Sequence, residues 1–432
     1  MTIPSLLSLP EELLLNIFSH IPPYQLQAVA ASCHMLQRIA EEECLWRRPI
    51  RDAYQITEQV LALFTINSYS FDNYSCSGAI AALHGRRLHM WRYRVNKRAN
   101  KSSLMAREAG IPWPKNFSYY SVQALYVSCS SNVRVYLGDI QGNIYFFSQK
   151  FAHKTCKGNY RPSLPFSVHK YHTAAISTIK IGTKFSHSAA MDGSICRWTT
   201  RTGRIQQRLL TQTSGVTSLL LFGKEREGRR RILVSGSLDG TLCIHNNPPN
   251  SLKGDLFPIV ALESDQRDTL FSSHLYSAIK VWSGCYAYHH QRQQLTVTLL
   301  ITIPLPNVYA TTLLYSPAYD IDHTNRSKER EIEERSLLYV GMNSGDMEIF
   351  SVTYGQNNKI SNNNAMLNLQ QQFHCYHSDT RSKNSAQALF LGNKSSVAEE
   401  TLYLLYPTVM EIVKIDKAAK NIVCTKKMGV TY

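Results

Sequence analysis

The chain has 432 residues, 44% of them hydrophobic and 18% charged, a globular balance that excludes a disordered polymer. It holds no apolar run of about 18 residues, which excludes a spanning helix, and the opening MTIPSLLSLPEELLL lacks the basic start of a signal peptide. The formal net charge of +16 favours acidic partners without choosing among nucleic acid, phosphoproteins and acidic protein faces.

Ten cysteines are scattered singly, with no Cys-x-x-Cys pair. This spacing argues against structural zinc and against a disulfide framework, and it points to a reducing compartment, cytoplasm or nucleus. The sequons at Asn73, Asn116, Asn325 and Asn393 are then without meaning.

Residues 8–46 read as three short helices. Ser8-x-x-Glu11 has the pattern of a capping box, with Pro10 in the first turn. Leu13, Leu14, Ile17, Phe18 and Ile21 form one apolar stripe that Pro22-Pro23 ends. Leu26, Val29 and Cys33 mark a second helix, Leu36, Ile39 and Ala40 a third, and Leu45-Trp46 closes the segment. Three helices in so short a span cannot bury that much apolar surface among themselves, so the rest of the chain or a partner must cover it.

The run LPEELLLNIFSHIPPYQLQAVAASCHMLQRIAEEECLWRR resembles an F-box, with Pro23-Tyr24 departing from the polar cap that opens the second helix of many members. The resemblance implies docking on the Skp-type adaptor of a cullin–RING ubiquitin ligase. It gives Leu9, Pro10, Leu13, Leu14, Ile17, Ile21, Leu26 and Val29 as adaptor-binding residues. Phe18, Ile39 and Trp46 divide between module core and interface.

Residues 56–66 and 78–98 look helical. The second stretch places Ile80, Leu83, Leu88, Trp91 and Val95 among Arg86, Arg87, Arg92, Arg94, Lys97 and Arg98. A rigid linker helix with snorkelling cations is favoured there over a nuclear-import or polyanion patch. Residues 99–116 read as a loop.

From residue 117 the periodicity becomes that of strands punctuated by Gly, Asp and Asn. Tyr171–Thr200 and Ser214–Asn247 are the clearest of six repeated units, which end near Ser148, Thr199, Asn246, Ser283, Ser351 and Ile415. The units resemble WD repeats, in which a His, a Ser, an Asp and a Trp form a hydrogen-bonded chain inside one blade. The resemblance assigns His172, Ser188, Asp192 and Trp198 to such a network. In the next unit it assigns Ser235 and Asp239, with Gln212 in the His place and His245 in the Trp place; in the one after it, Trp282 alone.

The expected fold class is therefore an α+β multidomain chain. An F-box spans residues 5–54, a helical linker 55–116 and an all-β WD-repeat propeller 117–432. Six blades are recognisable, a seventh is left open, and Asn421–Met428 is expected to close the ring by pairing with the first blade. Insertions at 223–230, 285–294, 317–335, 355–365 and 392–399 crowd one end of the units. The opposite end, where such propellers usually bind ligands, stays mostly trim, apart from His377–Ser385. Limited proteolysis is expected first within 317–335 and 355–365.

Gln356–Gln372 is a low-complexity tract, Ser327–Arg335 a solvated charge mixture, and Asp320-x-Asp322 lacks the rest of a calcium loop. No Walker loop, His-Glu-x-x-His or Gly-x-Ser-x-Gly motif occurs. The function this implies is non-catalytic: a substrate-recognition subunit of a Skp–cullin–F-box ubiquitin ligase that holds its substrate near an enzyme the cullin brings. The alternative is a WD-repeat scaffold outside the ligase. No cofactor, metal or membrane is expected, and nucleic acid is disfavoured. For a phosphorylated protein substrate the cationic candidates are Arg197, Lys280, Arg381 and Lys383.

Overall fold

The computed structural model describes residues 6–21, 29, 32–40, 45, 67–70, 77–84, 87–96, 101–106, 122–129, 133–139, 141–149, 167–182, 184–210, 212, 214–222, 232–245, 250–253, 256–265, 269–286, 295–305, 307–316, 336–354, 367–375, 388–391, 399–405, 409–416 and 421–429. The chain divides into two compact units, Met1–Leu210 and Thr211–Tyr432.

The first unit opens with a 3₁₀ turn, Leu6–Ser8, followed by α1 (Glu11–Ser19) and α2 (His34–Ala40). Helical residues at Val29 and Leu45 mark the remaining helical positions. The expected capping box is not the start of α1. The N-cap position falls on Pro10 in extended geometry (φ −56°, ψ 149°), which has no side-chain acceptor, and Glu11 and Glu12 supply acidic charge to the first turn instead. Helix α1 stops at Ser19, ahead of Pro22, with the His20 and Ile21 amides donating to the carbonyls of Ile17 and Phe18.

Among the described residues, every strand after the helices lies in an antiparallel sheet. In the first unit β1 (Asn67–Ser70), β2 (Ser77–His84), β3 (Arg87–Asn96) and β4 (Lys101–Ala106) form one four-stranded sheet. The next holds β5 (Val122–Cys129), β6 (Val133–Asp139), β7 (Asn143–Gln149) and β8 (Ser167–Lys170). The third holds β9 (Ile176–Lys180), β10 (Phe185–Ala190), β11 (Ser194–Thr199) and β12 (Ile205–Leu210).

The second unit has four such sheets. They are β13 (Val216–Phe222), β14 (Ile232–Ser237), β15 (Thr241–His245) and β16 (Asn250–Lys253), then β17 (Ile259–Ser264), β18 (Thr269–His274), β19 (Ala278–Tyr286) and β20 (Leu295–Pro304). The last two are β21 (Ala310–Ser316), β22 (Ser336–Met342), β23 (Met347–Tyr354) and β24 (Leu367–Cys375), and β25 (Ala388–Leu391), β26 (Glu399–Leu405), β27 (Val409–Asp416) and β28 (Asn421–Gly429).

Two expectations are overturned. The stretch 78–98 is not a helix but β2 and β3, and β4 occupies part of the supposed loop. The spacing Leu88, Trp91, Val95 suits a helix, but Trp91, Tyr93 and Val95 also alternate as a strand does, and periodicity alone cannot separate the two. The deciding signal is the turn. His84 pairs with Arg87, which leaves Gly85-Arg86 as a two-residue connection with glycine first. The reading of 56–66 as helix lies outside the described residues.

The last segment, expected to pair with the first repeat, has its described partner in its own sheet instead. Strand β28 pairs with β27 as the outer strand of its own sheet, and each of the seven sheets among the described residues is built from four consecutive strands. The six units legible in the sequence each end on the third strand of a sheet, and the sheet β1–β4 is the one that went unseen.

Inside each unit the first strands of successive sheets lie beside one another, β1 by β5 and β5 by β9, then β13 by β17, β17 by β21 and β21 by β25. The second strands β10, β14, β18 and β22 are crowded and buried nearly throughout. Their Ser, Ala and Gly content follows from that crowding. A Cβ on Gly236 would stand 2.5 Å from Ile259 Cγ2, and one on Gly138 2.7 Å from Ile176 Cγ2. Apolar clusters fill the spaces between sheets, for example Tyr136, Phe146, Ile176 and Trp198 in the first unit and Phe271, Val281, Leu313 and Val340 in the second.

One hydrogen bond recurs and locks the turn between second and third strands to the entry of the first. The amides of Met191, Leu238, Leu275 and Asn343 donate to the carbonyls of Ala175, Gly215, Pro258 and Tyr309, each the residue before a first strand. Gly193 and Gly240, in the Asp-Gly pairs of the sequence, and Gly345, after Ser344, supply the left-handed turn positions.

Candidate functional site

The helical module has an inner face that is satisfied and an outer face that is not. Leu14 and Phe18 of α1 pack on Leu36, Ile39 and Ala40 of α2 and on Leu45, all nearly or fully buried. Leu9, Leu15, Ile21, Val29, Cys33 and Met35 lie partly buried against that core. Arg38 donates to Glu11 at 2.6 Å, an exposed ion pair that ties α2 to the start of α1 and is worth little by itself.

On the opposite side of α1, Leu13 is 49% and Ile17 42% exposed, one turn apart, with Leu6 at 46% and Pro10 exposed on the approach. Isolated exposed leucines are ordinary. A run of them at helical spacing on one face, beside the buried one, is an exposed apolar stripe.

The adaptor-binding set read from the sequence is therefore divided by the structure. Pro10, Leu13 and Ile17 are presented outward; Leu9, Ile21 and Val29 are shared with the core; Leu26 lies outside the described residues, as does Trp46. Leu14 does not belong with them, because its side chain is wholly buried (0% exposed) and is committed to holding α1 on α2. One stripe in the sequence is two faces in the helix, since Leu13 and Leu14 stand about 100° apart around the axis.

The polar residues of the sheets form internal ties. His172, 1% exposed, meets Ser194 Oγ through Nδ1 at 2.7 Å and Ser188 Oγ through Nε2 at 2.8 Å. Asp192 accepts from the Thr173 amide at 3.0 Å and hydroxyl at 2.5 Å, and from the amide (3.0 Å) and hydroxyl of Ser194. Burial pushes the Asp192 carboxyl up, but these four hydrogen bonds together outweigh it and hold it well below the usual range. Burial also lowers the His172 pKa to about 4, with Asp192 raising and Arg208 lowering it, so the imidazole is neutral. A Ser, a His and an Asp meet here, but Ser194 and Ser188 are fully buried and Asp192 stays 4.0 Å from the imidazole, bonded to Ser194 instead. The cluster is a structural tie whose serine hydroxyls are closed to solvent.

Trp198 does not join that tie. Its indole N–H has no hydrogen-bond partner, and its ring sits in an aromatic cluster with Tyr136, Phe146 and Tyr171 at centroid distances of 5.1–6.0 Å. In the next sheet Gln212 donates to Ser235 Oγ at 3.0 Å and His245 Nε2 meets it at 2.7 Å, with the Ser237 hydroxyl and the Thr241 amide on Asp239. In the sheet β17–β20, Trp282 donates to Ser272 Oγ at 2.8 Å, and Ser272 meets His274 Nε2 at 3.1 Å. The sequence reading took Trp282 alone and missed these two, because the His lies two residues after the Ser instead of upstream of it.

Two of the cationic candidates, Lys280 and Arg197, fall among the described residues. Lys280 is 7% exposed, opposite Ser272 inside its sheet, so it is not a surface cation. The Arg197 guanidinium carbon stands over Phe185, 3.9 Å from the ring centroid. Arg381 and Lys383 lie outside the described residues, as do the insertions expected to be cut by protease and the tract 356–366. Among the described residues no helix is long and apolar enough to cross a membrane, and no group of three His, Cys, Asp or Glu could hold a metal.

Residues 6–52 match the F-box-like family model, so the chain carries an F-box-like domain at its N-terminus. It is similar to F-box only protein 31 of Rattus norvegicus and of Mus musculus, 34% identical over 89 residues, which are 21% of this chain and 16% of each relative. The human protein of the same name is likewise 34% identical over 89 residues, 15% of its length. The match thus spans about a sixth of these relatives. Among solved structures, the chain is similar to a chain of the mitotic checkpoint complex (14% identity, 85% of this chain and 88% of that one, TM-score 0.48). U3-55K (13%, 78% and 87%, 0.47) and the computationally designed Ika8 protein (16%, 71% and 86%, 0.43) are also similar.

Proposed function

We propose that this protein is the substrate-recognition subunit of a Skp–cullin–F-box ubiquitin ligase, with the outer face of α1 docking on the Skp-type adaptor and the sheets, as blades of a WD-type propeller, holding the protein to be ubiquitinated. The observation that carries this reading is the exposed Leu13–Ile17 face on an F-box-like domain, beside a buried cluster of Leu14, Phe18, Leu36 and Ile39. The chain then works by proximity: it raises the effective concentration of substrate at an enzyme bound elsewhere on the cullin.

Co-expression with a Skp-type adaptor tests the reading. Wild-type protein is expected to co-elute with it, and Leu13→Asp with Ile17→Asp to elute alone while the sheets keep their far-UV signature. A carboxylate buried at the contact costs several kcal/mol, enough to abolish a micromolar complex. Failure of the wild type to co-elute leaves a scaffold outside the ligase.

A further inference from the structure

Each sheet ends in an outer strand, and β20 differs from the others. It is the longest of them, with β4, β8, β12 and β16 at four to six residues and β24 and β28 at nine. The outer strands β4, β8, β12, β16 and β28 each carry a Lys or Arg, the usual guard on an exposed edge, and β24 a His. Strand β20, LTVTLLITIP, carries no charge and no histidine. It is hydrogen-bonded to β19 alone among the described strands, and Leu299 is 47% and Leu300 36% exposed.

The ladder fixes which backbone groups point outward. The Leu305 amide donates to the Ser277 carbonyl at 2.9 Å, so these directly opposite residues form a hydrogen-bonded pair. Alternation then turns Ile303 and Ile301 toward β19 and turns Pro304 and Thr302 away from it. Pro304 has no donor to lose there. A bulge between Ile301 and Leu299 restores the phase, which leaves Leu299 and Val297 facing outward as well.

We propose that the free edge of β20 receives an extended segment of an acidic partner protein, which adds a fifth strand to this sheet. The exposed N–H and C=O groups specify an extended backbone, and Leu299 and Leu300 offer apolar contact beside it. The formal charge of +16 selects an acidic partner over a second copy of the chain, which would bring the same charge to the contact. This interaction is independent of the adaptor-docking face.

The test uses the full chain and a fluorescein-labelled peptide of alternating Val and Thr flanked by two Asp at each end. It is expected to bind, to bind at least tenfold more weakly when Lys replaces the flanking Asp, and to be lost when two adjacent central amides are N-methylated. Thr302→Pro removes one outward donor while leaving the bonds to β19 intact, and is expected to weaken binding tenfold or more; Thr302→Val, which keeps the donor, is expected to bind as wild type. Unchanged binding of the N-methylated peptide, or no effect of Thr302→Pro in protein with wild-type melting, overturns the proposal. So does a dimer in light scattering that Thr302→Pro dissolves, which would make the edge a self-association surface.

Discussion

Leu13 and Leu14 are neighbours in the chain with opposite duties, and exchanging each for alanine separates them. Leu14→Ala removes three carbons from a wholly buried side chain, about 2.4 kcal/mol by transfer alone and about 3–5 kcal/mol with the cavity left among Phe18, Leu36 and Ile39. A helical module of this size holds only about 3–5 kcal/mol in total, so the loss takes it to the edge of unfolding. Leu13→Ala trims a half-exposed side chain and leaves no cavity, a change below about 1 kcal/mol. Native-state hydrogen exchange read by mass spectrometry on the full chain measures both, peptide by peptide. Amides of α1 and α2 are expected to exchange more than about 100-fold faster in Leu14→Ala and less than about 5-fold faster in Leu13→Ala, with the sheets unchanged. Equal effects of the two substitutions would refute the division of α1 into core and docking faces.

Three further outcomes follow from the sheets. His172 and His245 are both held neutral, their pKa values lowered to about 4 by burial, so the unfolded chain binds the extra protons. Stability is therefore complete above about pH 6.5 and falls as pH drops toward 4, by about 3 kcal/mol for His172, and His172→Gln should flatten a melting-temperature profile taken across that window. Ser272→Ala strips the Trp282 indole and His274 of their shared partner and is expected to cost about 1–3 kcal/mol in denaturant unfolding. Gly236→Ala puts a methyl 2.5 Å from Ile259 Cγ2 and 2.7 Å from Ser218 Oγ, an overpacking cost of about 1–3 kcal/mol that Ile259→Ala should partly relieve in a double-mutant cycle.

Much of this architecture could be read from residue order. Asp192-Gly193 and Asp239-Gly240 announced their turns because only a few residue types accept a positive φ, and Gln212, Ser235 and His245 were placed together by position within a repeat. What failed did so for identifiable reasons. Helical and strand periods overlap across Leu88–Val95, so the first sheet passed for a linker. The count of helical positions cannot tell which half of a broad stripe turns inward, so Leu14 was assigned outward with Leu13. Lys280 looked like a surface cation because burial at a given strand position depends on the neighbouring sheet, which no local pattern records. The tie between Ser272 and His274 was invisible because it departs from the order of its counterpart in β9–β12.

The affinity of the purified chain for a purified Skp-type adaptor, measured by titration calorimetry, tests the central claim most directly. The account predicts a saturable one-to-one complex at micromolar concentration or tighter. It also predicts that Leu13→Asp or Ile17→Asp weakens the complex at least a hundredfold without changing the melting of the chain. A wild-type protein that does not bind, or one whose affinity ignores both substitutions, contradicts it.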